Sequence, residues 1–261
     1  MVRTYFTAVV LVLATVIHGS SVLIAQLFGA KQGKGSIFEK APVRWARALL
    51  WAAGVKVIRH GGDELPDDAP RVFIASHVSW FDIPAMIDVL PHYGFVAKRE
   101  LEKIPLFGPA ARGVGVIYID RENRKAAFSA YEDAAKRIRA GQSVLVYPEG
   151  TRGDEYALRP FKKGPFVLAI GSGAPIVPVV VHGTIAVNPR GQFRANPGTV
   201  HVHVLEPIPT DGLRYDDREE LGEKVRLRMA ECLKTVYGID PPLQARAPKG
   251  AARAASVPAE A

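Results

Sequence analysis

Apolar and polar residues along the chain fall into blocks of different period. Residues 4–30, TYFTAVVLVLATVIHGSSVLIAQLFGA, contain no Asp, Glu, Lys or Arg. A helix over this stretch, rising ~1.5 Å per residue, is long enough to cross a hydrocarbon core of ~30 Å. His18-Gly19-Ser20-Ser21 interrupts the apolar run in its middle. Three readings stand: a transmembrane or membrane-embedded helix, a cleaved signal peptide, or a buried helix of a soluble core. Arg3 and the apolar region suit a signal peptide, but no clean small-x-small cleavage site follows. Residues 40–53, KAPVRWARALLWAA, pattern as a second helix with Trp45 and Trp51 among arginines. Such a helix lies in a headgroup layer or packs on the domain.

From Val55 onward, short β-like runs alternate with helical stretches. Val55–Arg59, Arg71–Ser76, Gly94–Ala97, Val116–Asp120, SVLVYP at 143–148 and IVPVVVHG at 176–183 read as strands. Phe81–Leu90 reads as a helix. A longer helix runs from an Asn123 cap to a Gly141 stop, with Ala127, Tyr131, Ala134 and Ile138 on one face. The apolar stretch GPFVLAIGSGA lies between the last two of those strands. Thr199–Glu206 alternates strictly and predicts a half-exposed strand, whose His201 and His203 share one face and are expected to meet solvent. Asp216–Tyr237 predicts a final charged helix. The pattern predicts an α/β fold: a single domain with a mixed, largely parallel central sheet flanked by helices, plus N-terminal membrane-associated helices. Its expected divisions are a membrane-associated region at 1–54, the domain at 55–239 and a disordered tail at 240–261.

Composition adds a formal net charge of +8 over 261 residues, which favours an anionic partner without choosing among nucleic acid, membrane and phosphorylated substrate. No aromatic-plus-basic recognition motif for nucleic acid occurs, and lipid headgroups account for the charge more economically. The single cysteine, Cys232, can form no intramolecular disulfide, so a reducing compartment is allowed. If the first helix crosses a membrane, Lys31, Lys34, Lys40, Arg44 and Arg47 beyond it outnumber Arg3 before it. That bias places the domain in the cytoplasm. GAKQGKGS between the two helices lacks the P-loop spacing and is a basic linker.

Four blocks could carry chemistry. In ASHVSWFD, His77 and Asp82 stand five positions apart between a strand end and a helix start. Asp82 could be only the helix cap, with Pro84 in the first turn, or it could orient His77 as a general base. HExxH spacing is absent, so no metal is expected. Ser79 lacks a G-x-S-x-G setting, so a hydroxyl brought by a substrate is the simpler target. Trp80 and Phe81 could meet an acyl chain, a membrane or the core. In YPEGTRG, Gly150 permits a tight turn, Glu149 can accept from a hydroxyl and Arg152 can fork onto a phosphate; a plain turn is the alternative. In residues 97–121, Lys98 and Arg121 end strands and either share a phosphate pocket or are solvated charges. VPVVVHGT is expected to wall a pocket and offers no reactive group.

These blocks in this order, over about residues 71–184, resemble the glycerolipid acyltransferase family of the 1-acylglycerol-3-phosphate acyltransferase type. The H-x4-D and EGTR blocks carry the resemblance. It implies His77 as the base, Asp82 as its orienting group, and an acceptor site of Lys98, Arg121, Glu149, Gly150, Thr151 and Arg152, with Arg99 able to exchange with Lys98. The family often has Asn where this chain has Ser76, and Phe where it has Tyr147. The implied reaction moves a fatty acyl group from acyl-CoA or acyl carrier protein, as co-substrate and with no cofactor, to 1-acylglycerol 3-phosphate, giving phosphatidic acid. The implied place is the cytoplasmic face of the inner (plasma) membrane, among membrane lipids. Another lysophospholipid or a lyso-amino-acid lipid as acceptor, a lipid hydrolase using Ser79, and a non-catalytic membrane-binding protein are the alternatives.

Overall fold

The computed structural model describes residues 1–66, 69–90, 93–120, 123–153, 155, 156 and 158–241. Two helices, α1 (Val2–Leu27) and α2 (Ile37–Ala53), precede the sheet. Gly54 ends α2 in the left-handed conformation, at φ 69°, and turns the chain directly into β1 (Val55–His60). There follow β2 (Val72–Ala75), α3 (Asp82–Val89), β3 (Tyr93–Lys98), α4 (Phe107–Gly113), β4 (Ile117–Ile119), α5 (Arg124–Arg139) and β5 (Ser143–Val146). The chain continues through α6 (Gly164–Ser172), β6 (Ile176–His182), α7 (Thr184–Val187), β7 (Gly198–Val204) and α8 (Arg218–Tyr237).

The seven strands form one sheet in the order β1-β7-β6-β2-β5-β3-β4. Every neighbouring pair is parallel except β6 with β7, so β1 and β7 run opposite to the other five. β2 and β5 are buried throughout, as unbroken apolar runs covered on both faces should be. One face packs Ile138, Phe166, Met229 and Leu233 from α5, α6 and α8 against Val72, Ile74, Val144 and Val180. The other packs Leu50 and Met86 from α2 and α3 against Phe73, Leu145, Val177 and Val202. The α/β fold with a mixed, mostly parallel sheet thus stands as the sequence pattern has it. The tail expected from residue 240 lies outside the described residues beyond 241.

α1 inverts the usual amphipathic rule. Its buried positions are Thr4, Thr7, Ala14 and Val22, whereas Val9, Leu13, Ile17, Ile24 and Leu27 are exposed. It touches the rest of the molecule along its whole length. Ala195 N–H donates to Thr4 Oγ1 at 3.2 Å, and Trp45 Nε1–H donates to Thr15 Oγ1 at 3.0 Å. Leu106 sits 3.3 Å from where a Cβ on Gly19 would lie, and the Gln26 side chain lies over Gly113. Within the polar break at residues 18–21, Gly19 is the residue that meets α4, and the Ser21 hydroxyl donates to the His18 carbonyl at 2.8 Å, which lets an apolar helix carry it. This exposure rules out a helix buried in a soluble core. The tryptophans of α2 divide: Trp45 packs inward on α1, and Trp51 is 70% exposed.

One expectation about β7 fails. His203 is buried, not solvent-facing; its Nε2 pairs with Tyr237 Oη at 2.6 Å and its ring stacks on His60 at 4.4 Å. His201 Nδ1 pairs with His60 Nε2 at 2.9 Å. The alternation is real, but the end of α8 and the edge strand β1 cover the face that the pattern leaves to solvent.

Candidate active site

Five parallel strands point their C-terminal ends to one edge, and the chemistry of the chain gathers there. β2 ends into Ser76 and His77, β3 into Lys98, β5 into Tyr147–Arg152 and β6 into Gly183-Thr184. His77 Nδ1 lies 2.8 Å from Asp82 Oδ2. The same oxygen accepts the backbone N–H groups of Val78 and Ser79, each at 2.8 Å, and Oδ1 accepts the Thr184 hydroxyl at 2.6 Å. Asp82 is fully buried. Because all its neighbours donate, the hydrogen bonds assign the imidazole proton to Nδ1 and put the lone pair on Nε2.

Asp82 is not the helix cap that the sequence suggests. Phe81 holds the cap position, and Asp82 is the first residue of α3. The turn over Ser79–Phe81 already supplies carbonyls to the first helical N–H groups: Asp82 N–H to Ser79 O at 3.4 Å and Ala85 N–H to Phe81 O at 3.1 Å. The carboxylate is thereby released to reach back over the turn to His77. Ser79 is fully buried, donates to Asn188 O at 3.1 Å and accepts from Phe81 N–H at 3.3 Å. It is not presented as a nucleophile.

The 147–153 loop grips His77 from behind. Gly150, at φ 81°, makes the turn. Gly153 N–H donates to His77 O at 2.8 Å, and His77 N–H donates to Glu149 Oε1 at 3.3 Å. Glu149 Oε2 accepts Arg159 Nε–H at 3.4 Å, and Arg159 Nη2 donates to Thr151 O at 2.5 Å. Burial is the main cause that pushes the Glu149 carboxyl up to about 7, against the lowering pull of the His77 N–H and Arg159. Its side chain is 1% exposed, so Glu149 faces inward as a brace and does not line the cavity in front of His77. Tyr147 stacks on the His77 ring at 4.0 Å and 18°, and burial holds its hydroxyl well above the usual tyrosine range.

That cavity holds about 780 Å³, mostly apolar. His77, Trp80, Tyr147, Gly150, Thr151, Arg152 and Lys98 line it, and α1 and α2 supply Thr15, His18, Gly19, Val22 and Trp45. The Arg152 guanidinium lies over Trp80, 5.1 Å from its centroid. Lys98 pairs with Glu100 at 3.0 Å on the rim, whereas Arg99 does not line the cavity. Arg121 lies outside the described residues. Of the paired aromatics, Trp80 is half exposed and Phe81 is core.

The acyltransferase family model matches residues 56–182. Over 241 residues the chain is 34% identical to the 1-acyl-sn-glycerol-3-phosphate acyltransferase of Saccharomyces cerevisiae, covering 89% of this chain and 78% of that protein. The chain belongs to the glycerolipid acyltransferase family. It is also 35% identical over 190 residues to the 1-acyl-sn-glycerol-3-phosphate acyltransferase alpha of Ovis aries, spanning 72% of this chain and 66% of that relative's length. The crystal structure of the 1-acyl-sn-glycerophosphate (LPA) acyltransferase PlsC from Thermotoga maritima superimposes with a TM-score of 0.75 at 25% identity, covering 89% of this chain and 95% of that one.

Two features of this glycerolipid acyltransferase escape its sequence motifs. Thr184 closes the VPVVVHGT block, yet only the fold brings it to Asp82; the strand itself is core and does not line the cavity. Arg159 clamps the loop from ten residues beyond Glu149, with no motif to mark it. The chain's departures from the family pattern also find places. Ser76 Oγ accepts Val181 N–H at 3.1 Å, tying β2 to β6, so its hydroxyl serves the sheet and leaves His77 alone.

Proposed function

We propose that the protein transfers a fatty acyl group from a thioester of coenzyme A or acyl carrier protein to the free hydroxyl of 1-acylglycerol 3-phosphate. The observation that carries this reading is the buried Asp82 holding His77 at the wall of a large apolar cavity, with the EGTR loop bonded to the same histidine. The acyl chain occupies the cavity. The acceptor phosphate meets Arg152, with Lys98 at the rim, and Gly150 and Thr151 offer loop atoms beside it. Glu149 acts by holding His77 and the loop together.

His77 Nε2 takes the acceptor proton as the hydroxyl oxygen attacks the thioester carbonyl carbon. The new C–O bond forms, the C–S bond breaks, and the imidazolium is stabilised by Asp82. The sulfur leaves as a thiolate, which draws the proton from Nε2 or leaves charged, since a thiol of pKa ~8.5 makes a stable leaving group near neutrality. No cofactor enters this sequence.

α1 is docked at both ends and in the middle, so its exposed apolar face runs alongside the domain. This favours a helix lying within one leaflet over one that crosses the bilayer. We place the domain on the cytoplasmic face of the inner membrane, where carrier thioesters are made and Cys232 stays reduced. The test is a membrane-fraction assay with lysophosphatidate and each thioester donor. His77→Ala should lower turnover by about 10²–10⁴-fold in a folded protein. Retained activity in that variant, or equal activity on acceptors without phosphate, overturns the reading.

A further inference from the structure

The loop between α7 and β7, residues 188–197, carries an aromatic tip that the reaction does not use. Phe193 stands 62% exposed between Arg190 and Arg194. The loop is stapled. Asn188 Nδ2 donates to the carbonyls of Gln192 and Arg194 at 3.1 and 2.8 Å, Gln192 N–H donates to Pro189 O at 3.2 Å, and Asn196 N–H returns to Val187 O at 2.9 Å. Gly191, at φ 74°, makes the turn.

The tip adjoins the outward face of α1. Ala195 N–H is bonded to Thr4 Oγ1, and the Phe193 ring meets Tyr5 edge-on at 6.0 Å. Beside Tyr5, Phe6 meets Trp51 of α2 at 5.6 Å. These four rings are each at least 44% exposed. They continue the exposed apolar surface of α1 off the helix and onto the sheet domain.

We propose that loop 188–197 is a further membrane contact, with Phe193 entering the acyl boundary of an anionic bilayer and Arg190 and Arg194 meeting its lipid phosphates. Aromatic side chains flanked by arginine match the boundary between headgroups and chains. Burying one phenylalanine strengthens partitioning by ~10- to 100-fold. A turn already fixed by its own hydrogen bonds loses little freedom on insertion. Arg190 also lines the cavity with Arg152, so the loop that enters the bilayer borders the acyl site. The proposal rests on the membrane reading of α1.

The test uses the full chain with Cys232→Ser, reconstituted into vesicles. An environment-sensitive fluorophore is attached in turn at Val9→Cys, Phe193→Cys and Val236→Cys, the last on the exposed side of α8. The probe at 193 should be quenched by nitroxide-labelled lipid and shielded from aqueous iodide at least fivefold relative to 236, matching the probe at 9. Shielding should be stronger in phosphatidylglycerol than in phosphatidylcholine, and Arg190→Ala with Arg194→Ala should abolish that difference. A probe at 193 as open to iodide as one at 236, while 9 remains in lipid, overturns this inference alone. A probe at 9 open to iodide overturns the membrane reading beneath it as well. Equal shielding in the two lipids overturns the role of the arginines.

Discussion

Asp82 spends both carboxylate oxygens on fixed donors, and only one of those donors is His77. Thr184 supplies the bond that holds Oδ1, from a fully buried position 2.6 Å away. Thr184→Val keeps the shape and deletes the donor. A buried hydrogen bond to a charged group is worth ~1.5–3 kcal/mol, so kcat should fall by about tenfold or more, with KM for the acceptor little changed and Thr184→Ser restoring the rate. Glu149 gives a pH signature. Its carboxyl ionises near 4.5 in an unconstrained chain and is held up at about 7 here. Between those values the folded protein keeps a proton that the unfolded chain has lost, so this contribution to stability is full below pH ~4.5 and declines as pH rises to 7. Thermal unfolding of Glu149→Gln against the parent from pH 5 to 8 should remove that decline. His77, Asp82 and the loop cations were legible as residue types at a spacing. Asp82's orientation, Glu149's inward turn and the partnership with Thr184 were not, since each depends on which N–H or hydroxyl a fold brings within 3 Å.

At the scale of elements, periodicity located the strands and the long helices, because buried parallel strands are unbroken apolar runs and α5 shows a clean helical face. α4 and α7 went unread. The first is a seven-residue helix containing Gly108, Pro109 and Gly113, and the second has four residues, too few for any period to show. Gly108 is required because a Cβ there would lie 2.0 Å from Glu102 O. The apolar stretch that became α6 carried no period that distinguished helix from strand. The histidines of β7 show how a neighbouring element reverses an exposure reading. Burial and the charges of His60, His201 and His182 push His203 down to about 4. The unfolded chain would take up a proton there near 6.5, so this contribution to stability is full above pH 6.5 and is lost as pH falls toward 4. His203→Gln should flatten that acid-side loss in a denaturation series. For α1, Gly19→Leu should separate the helix from Leu106, costing ~1–3 kcal/mol by overpacking, read as a lower Tm in detergent.

At the scale of the whole molecule, topology gathers the motif residues: β2, β3, β5 and β6 run the same way, so residues from 77 to 184 come to a single edge. The order of the blocks in the sequence resembled a family, and the family carried the fold with it; what no block announced is that the first helix closes the site. Thr15, His18, Gly19 and Val22 of α1 face the same cavity as His77. The apolar first helix and the cavity wall are therefore one object. Trimming the chain to begin at Ile37 would leave the sheet and the His77–Asp82 couple intact while opening the cavity to water along one side. Such a fragment should retain its far-ultraviolet circular dichroism less the α1 helix, yet lose discrimination between long and short acyl donors. Solubility and selectivity are then coupled through α1, and a soluble variant would have to be sought by repainting its outer face, at Val9, Leu13 and Ile17, together with Phe193, with the inner face of α1 left alone.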